Sequence, residues 1–439
     1  MTLRSVLEKS IFVIVGLILS GAVWRAVSSG NESGVDGDQR TQVLLAIMYV
    51  VVAVLVALQF RASIHAFYRN PALLGLLVVA CASPLWAEAP DLVLRRALAL
   101  VGTTLFGVAL AITYSFEEQL KILRWALRIG AFLTLILLVV SPSRALSAAD
   151  GGGGIRGVFP HKNILGGAMA LGFLVEWFLR EQGMRGKILR IISLCAFTAL
   201  LVASDSLTSI VTVAAALSAT WVFRVLYARR QIPFPVLVLF VMAAVGAMAL
   251  IGVETGDVMS LMGRSSDMTG RTELWNAVFQ TILQRPLLGF GFSGFWKDAS
   301  PSSAVIEQQI RWTPTYSHNG YLEIALSLGS IGLLLVAWML ASGLKRAWRQ
   351  AKGDGSYLDS WPLALFLFVV IHNGAECTIA WQNCLEWGVC VATIVGSDPG
   401  VRMAFEEREE SEDFVHATEP ESLEELEALI PLVASESES

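Results

Sequence analysis

Charge is scarce in this chain. Asp, Glu, Lys and Arg make up 16% of its 439 residues, against about a quarter in soluble globular domains. Hydrophobic residues make up 55%, and the mean hydropathy is +0.61. Cysteine is equally thin. Cys81, Cys195, Cys377, Cys384 and Cys390 show no CxxC spacing and lie mostly in apolar runs, which argues against a metal centre or a disulfide framework. Walker A, HExxH, GxSxG and dinucleotide fingerprints are absent from any context that would give them meaning. No basic stripe is interleaved with aromatics, which excludes a nucleic-acid binder. No repeat of 20–50 residues is visible, and no small-residue cleavage site follows the apolar run after Lys9, so that run is read as a retained first span.

Long apolar runs fill the space left by charge. Their lengths of about 17 to 25 residues suit a bilayer-crossing helix, and lipid offers no partner to an unbonded backbone. The pattern predicts an all-α polytopic membrane protein of about twelve transmembrane helices, at 10–26, 41–60, 71–88, 97–115, 124–141, 163–180, 188–204, 206–227, 233–253, 318–343, 359–375 and 380–397. Nine spans with an outer loop at 142–162 make up residues 1–253. A large outer loop covers 254–317, the last three spans cover 318–400, and an acidic tail covers 401–439. Basic residues gather in alternate loops (Arg61 and Arg69; Lys121 and Arg124; Arg180 to Arg190; Arg224 to Arg230; Lys345 to Lys352), which places both termini in the cytoplasm. The tail alone carries a charge of −11, leaving about +6 for the rest, and its composition predicts a disordered, solubilising segment with a short solvated helix near 423–429. Within the large loop, Leu274, Ala277, Val278 and Ile282 recur at helical spacing. They predict an amphipathic helix at the membrane surface, ended by Pro286 and followed by a turn at Gly289 and Gly291.

Polar residues concentrate at the outer mouth. Three of the five histidines, His161, His318 and His372, fall near outer ends of spans, each closely followed by an asparagine: Asn163, Asn319 and Asn373. Such histidines either end helices or accept protons near neutrality. Arg156, Lys162, Arg264, Arg271 and Arg311 lie in the two long outer loops. They either pair with Asp267, Glu273 or Glu307, or together provide the cationic site that a lipid pyrophosphate requires. Glu176, Glu323 and Glu376 are acids at depth that need partners. Glu323 shares a helix face with Asn319 and either orients His318 or pairs across the bundle.

These segments carry a family resemblance. Arg156-Gly157-Val158-Phe159-Pro160-His161-Lys162-Asn163, Gly270-Arg271-Thr272-Glu273-Leu274-Trp275, Arg285-Pro286-Leu287-Leu288-Gly289-Phe290-Gly291 and Ser317-His318-Asn319-Gly320-Tyr321-Leu322 occur in the order and spacing of the O-antigen ligase and Wzy-type polymerase superfamily. The FPHKN form looks most like exopolysaccharide polymerases of the succinoglycan type. The resemblance covers residues 150–335. It implies a membrane-embedded C-type glycosyltransferase of the inner membrane, with a large periplasmic loop and neither metal nor cofactor. The donor would be an oligosaccharide on undecaprenyl pyrophosphate. The acceptor would be a glycan, on another lipid-linked repeat in a polymerase or on lipid A core in a ligase. Membrane lipids and proteins of polysaccharide export and chain-length control are the further partners it implies. Arg156 and Arg271 would neutralise the pyrophosphate and His318 would activate the acceptor, with His161, Lys162, Asn163, Arg264, Asn319 and Glu323 binding substrate. One departure stands out: in Ser204-Asp205-Ser206-Leu207-Thr208-Ser209, many relatives carry a basic residue where this chain has Leu207, a role Lys162 or Arg264 would have to fill. A secondary transporter would also suit twelve spans, but two similar halves are missing. The third alternative is a non-catalytic assembly subunit.

Overall fold

The computed structural model describes residues 3–27, 39–147, 154–227, 271–296, 300–310, 313–352 and 356–405, with a few positions between 236 and 247 and residue 407. No strand occurs among them; the only pairing of that kind is an isolated bridge between Leu146 and Ile155. The helices are α1 (Leu3–Leu19), α2 (Gln39–Leu58), α3 (Phe60–Arg69), α4 (Pro71–Ala82), α5 (Pro90–Thr113), α6 (Phe116–Val140), α7 (Lys162–Phe178), α8 (Met184–Ala203), α9 (Leu207–Tyr227), α10 (Arg271–Ile282), α11 (Pro301–Ile310), α12 (Gly320–Ala351), α13 (Trp361–His372) and α14 (Leu385–Gly396). Shorter turns of helix join some of them.

Six of these helices, α2, α5, α6, α8, α9 and α12, are long and apolar enough to cross a membrane, and α3 with α4 makes a seventh if the bent pair is one span. The other expected spans are shorter helices, such as the 17 residues of α1 and α7 and the 12 of α13 and α14. The span expected at 233–253 lies largely outside the described residues. The span expected at 71–88 is half of a helix pair bent by 96°. Pro71 cannot donate its nitrogen to a continuing helix, and Asn70 restarts the chain by donating to the Ala66 carbonyl and accepting from Arg346 Nη2, each at 2.8 Å.

Two kinds of surface define the packing. Val50, Leu58, Val139, Trp221, Leu334 and Trp338 are all more than half exposed, on a scale that suits lipid rather than water. Inside, α5 packs on α14, α7 on α8, α9 on α13, and α12 on α4 and α13. Buried ions are paired. Glu176 is met by Arg128 at 2.6 Å, which supplies the partner an acid at that depth needs. Asp398 ties Arg69 and Arg346 together, at 2.9 and 2.7 Å.

Two features shape the end of the bundle that holds the site. First, α10 forms where the apolar spacing predicts, but its stripe is not laid on a membrane. Leu274, Ala277 and Val278 are buried in a second core with Phe290, Phe295, Trp296, Ile306, Ile310 and Leu326. The loop folds back on itself because those aromatics give the stripe a protein surface to cover. Phe279, Leu283 and Leu287 remain more than half exposed. Second, α12 is broken at Gly329, whose backbone is non-helical at φ 64° and ψ −161°. The turn that starts at Pro286 fills the break. Phe290 N and Gly291 N donate to the carbonyls of Leu326 and Ser327, at 2.9 and 3.0 Å, and Ser330 N and Ile331 N donate to those of Pro286 and Leu287, at 2.8 and 3.3 Å. A broken helix in an apolar setting needs its freed backbone groups satisfied, and this loop supplies all four bonds.

Candidate active site

Three distant stretches of chain meet at one carboxylate. Glu376, 5% exposed, lies between α13 and α14. Asn163, in the first turn of α7, donates its Nδ2 to Glu376 Oε1 at 2.8 Å. Tyr316 donates its hydroxyl to Oε2 at 3.3 Å. Arg271, the first residue of α10, sets Nη2 3.7 Å from Oε1 and commits Nη1 to the Ala375 carbonyl at 2.9 Å. Arg271 is buried, and the acid it meets among the described residues is Glu376 rather than Glu273 or Glu307; Asp267 lies outside the described residues.

His318 stands beside this group. Its ring lies on Tyr316, with centroids 4.1 Å apart, and Tyr316 in turn meets Trp381 edge-on at 5.7 Å. The backbone at His318 is left-handed, at φ 51°, a conformation that costs a non-glycine residue about 1 kcal/mol or more and persists only where the surroundings fix it. Both neighbours are fixed. Ser317 donates its N–H and its hydroxyl to Glu323 Oε2, at 2.9 and 2.7 Å, and its carbonyl accepts from Trp275 Nε1 at 2.8 Å. Asn319 caps α12 by accepting from the amides of Tyr321 and Leu322, and donates to the Gly374 carbonyl at 3.1 Å. The main-chain bond from Gly320 N to Asn373 O, 2.9 Å, closes the junction with the end of α13.

Burial first, then the positive charge of Arg271, then that of His161 hold the His318 imidazole well below its usual pKa. The ring is therefore neutral at pH 7 and able to accept a proton.

The expected residues have separate fates. His161 is the N-cap of α7, its Nδ1 accepting from Asn163 N at 3.2 Å. Lys162 is buried at the start of the same helix. Glu323 does not bond His318: its carboxylate is engaged by Ser317 and by Trp296 Nε1, at 3.0 and 3.1 Å, so it positions the histidine through the preceding residue. Arg156 is hydrogen-bonded through its backbone to Ala145 and Phe159, and its Nε is buried without a hydrogen bond among the described residues. The turn before Leu207 adjoins it, since Ile155 N donates to the Ala203 carbonyl at 2.9 Å. Arg264 and Arg311 lie outside the described residues. His372 is buried in the bundle, with Nδ1 3.8 Å from Glu386 and neither ring nitrogen hydrogen-bonded among the described residues. Sequence reasoning marks Glu376 only as an acid in want of a partner and passes over Tyr316. Its two-residue separation from His318, in an aromatic-rich junction, was the available signal.

Comparison with known proteins agrees with the motifs. Residues 191–337 match the family described as O-Antigen ligase. Over 286 residues the chain is 26% identical to the Exopolysaccharide production protein ExoQ of Rhizobium meliloti, a stretch that is 60% of this chain and 62% of that protein. Shorter matches, 32% over 78 residues and 33% over 79, are to "Putative polysaccharide ligase RP358" of Rickettsia prowazekii and its namesake RC0486 of Rickettsia conorii. Each spans 17% of this chain and 19% of the relative. The chain is thus a multi-pass membrane protein, all-helical among the described residues and similar to the O-antigen ligase and Wzy-type superfamily.

Proposed function

We propose that this protein is a membrane glycosyltransferase that polymerises undecaprenyl-pyrophosphate-linked oligosaccharide repeats into exopolysaccharide at the periplasmic face of the inner membrane. The observation that carries this reading is that the buried Arg271 guanidinium and the His318 ring gather on one group: Arg271 lies 3.7 Å from Glu376, and His318 packs on Tyr316, whose hydroxyl donates to the same carboxylate. The 286-residue match to an exopolysaccharide production protein supports polymerisation. In this reading the chain crosses the membrane about twelve times, with both termini cytoplasmic and 254–317 periplasmic, because the basic loops alternate.

The acceptor hydroxyl oxygen attacks the anomeric carbon of the donor. A new O–C1 bond forms, the C1–O bond to pyrophosphate breaks, and the pyrophosphate leaves with the electron pair. His318 takes the hydroxyl proton, and attack opposite the leaving group inverts the anomeric centre. Arg271 offsets the charge that grows on the leaving group, with Arg156 as the second cation. No metal or cofactor takes part in this scheme.

Arg271→Lys tests the reading. A lysine keeps the charge but cannot present two N–H groups in one plane to phosphate oxygens, so the variant should make little polymer at normal expression. Complementation equal to wild type would reduce Arg271 to a structural ion pair. The second reading, ligation of a glycan to lipid A core, is favoured by the Rickettsia matches. A deletion strain distinguishes the two: single lipid-linked repeats accumulate if the protein polymerises, and long lipid-linked chains accumulate if it ligates.

A further inference from the structure

The sequence motifs leave Glu376 without a role, yet it is the residue on which the site converges. Three facts define its position. It faces Arg271 at 3.7 Å, an electrostatic contact beyond hydrogen-bond length, while the other terminal nitrogen of that guanidinium bonds the Ala375 carbonyl. It is held by two neutral donors, Asn163 and Tyr316, that do not depend on Arg271. And both members of the pair are nearly inaccessible, with side chains 6% and 7% exposed.

We infer that Glu376 is the resident counter-ion of Arg271, a built-in anion that compensates the guanidinium charge until the pyrophosphate of a lipid-linked donor takes up its N–H groups. This rests on the reading of Arg271 as a pyrophosphate-binding group. A buried guanidinium with no anion nearby is costly, so the empty site needs a negative charge. A tight bidentate carboxylate would compete too well with the ligand. The contact seen here lies between these extremes, close enough to compensate the charge and too long for a hydrogen bond. Pyrophosphate brings several negative charges and oxygens that can take two guanidinium N–H groups at once. When it binds, Glu376 stays where it is, because Asn163 and Tyr316 still hold it. From there its charge opposes the anion that remains after glycosyl transfer and speeds release of the lipid pyrophosphate product. Glu376 is thus a positioning residue that trades affinity for turnover.

The experiment uses the full-length protein in nanodiscs, with undecaprenyl pyrophosphate as probe and free inorganic pyrophosphate as a second probe. Glu376→Gln keeps the shape and removes the charge: its amide oxygen can accept from Asn163 as Oε1 does, and its NH2 can donate to the Tyr316 hydroxyl oxygen in place of the bond to Oε2. It should bind both probes about tenfold more tightly than wild type, about 1.4 kcal/mol, while turnover falls. A merely structural role cannot produce that gain in affinity. Glu376→Met, of similar length and no charge, should tighten binding in the same direction and keeps the test open if the glutamine variant does not fold. Glu376→Asp, which retains the charge, should bind within about threefold of wild type. Unchanged or weaker binding by the Gln and Met variants, with binding still lost in Arg271→Lys, would overturn the counter-ion role and leave the proposed function standing. Absence of binding to both probes in wild type and variants alike would overturn both.

Discussion

Replacing Gly329 by alanine tests the architecture apart from any assumption about chemistry. At φ 64° and ψ −161° the residue occupies a region essentially reserved for glycine. An alanine Cβ there would stand 2.2 Å from the Leu287 carbonyl oxygen and 2.6 Å from Leu288 N. Both are backbone atoms of the turn that fills the break in α12, so no side chain can rotate away to make room. The expected cost has two parts. Backbone strain contributes about 1–3 kcal/mol. Displacing the turn gives up as many as four main-chain bonds at about 1 kcal/mol each. The total, up to about 7 kcal/mol, is a large share of the roughly 5–15 kcal/mol by which proteins are stable. Gly183 supplies the control. Its backbone is similar, at φ 86° and ψ 154°, but no atom lies within 4 Å of a Cβ built on it, so Gly183→Ala carries strain alone. In detergent, the temperature at which half the protein leaves the monodisperse peak should fall markedly further for Gly329→Ala than for Gly183→Ala. Equal falls would mean that the docking of 286–291 onto the broken helix does not contribute to stability, and that the turn is not what holds this end of the bundle together.

The other predictions concern the site. His318→Ala should lower polymer yield by about 10²- to 10⁴-fold at matched expression, the range of a general base; His318→Gln should restore part of it only if the ring works by hydrogen bonding, and full activity in His318→Ala would remove the acceptor-activating role. In the proposed scheme activity requires the neutral imidazole. Because burial, Arg271 and His161 lower its pKa, the acid limb of the pH–rate profile should fall below pH 6.5, and a limb at or above that value would contradict a buried base beside Arg271. Alkaline phosphatase fused after Ser300 should be active and after Lys352 inactive; the reverse pattern would put the site on the cytoplasmic face.

Much of this was legible in the residues themselves, and the remainder was not for identifiable reasons. Helix α10 follows from the spacing of Leu274, Ala277 and Val278, because periodicity depends only on neighbours within a few turns. What covers that stripe does not follow, since Phe295, Trp296 and Ile306 reach it by a chain reversal that no period encodes. The histidine–asparagine pairs mark helix ends correctly: His161 and Asn319 are N-caps. Hydropathy places Glu376 just past a span but cannot say that Asn163, Tyr316 and Arg271 would gather on it, because that requires the relative rotation of helices. Glu323 shows the opposite failure. Its spacing from Asn319 suggested a partner for the histidine, while the loop brought Trp296 to it instead.

The order in which the parts of the site occur along the chain has a consequence for biosynthesis. The carboxylate that gathers the site lies 213 residues beyond Asn163, and at roughly 5–20 residues per second it leaves the ribosome about 10 to 40 seconds later. In that interval most of the bundle is already in the bilayer. Arg271 has emerged without its buried anion, and the α12 cap lacks the Asn373 and Gly374 carbonyls that tie it down. A nascent or prematurely terminated copy therefore lacks this junction, which is completed in a single step when the hairpin between α13 and α14 closes.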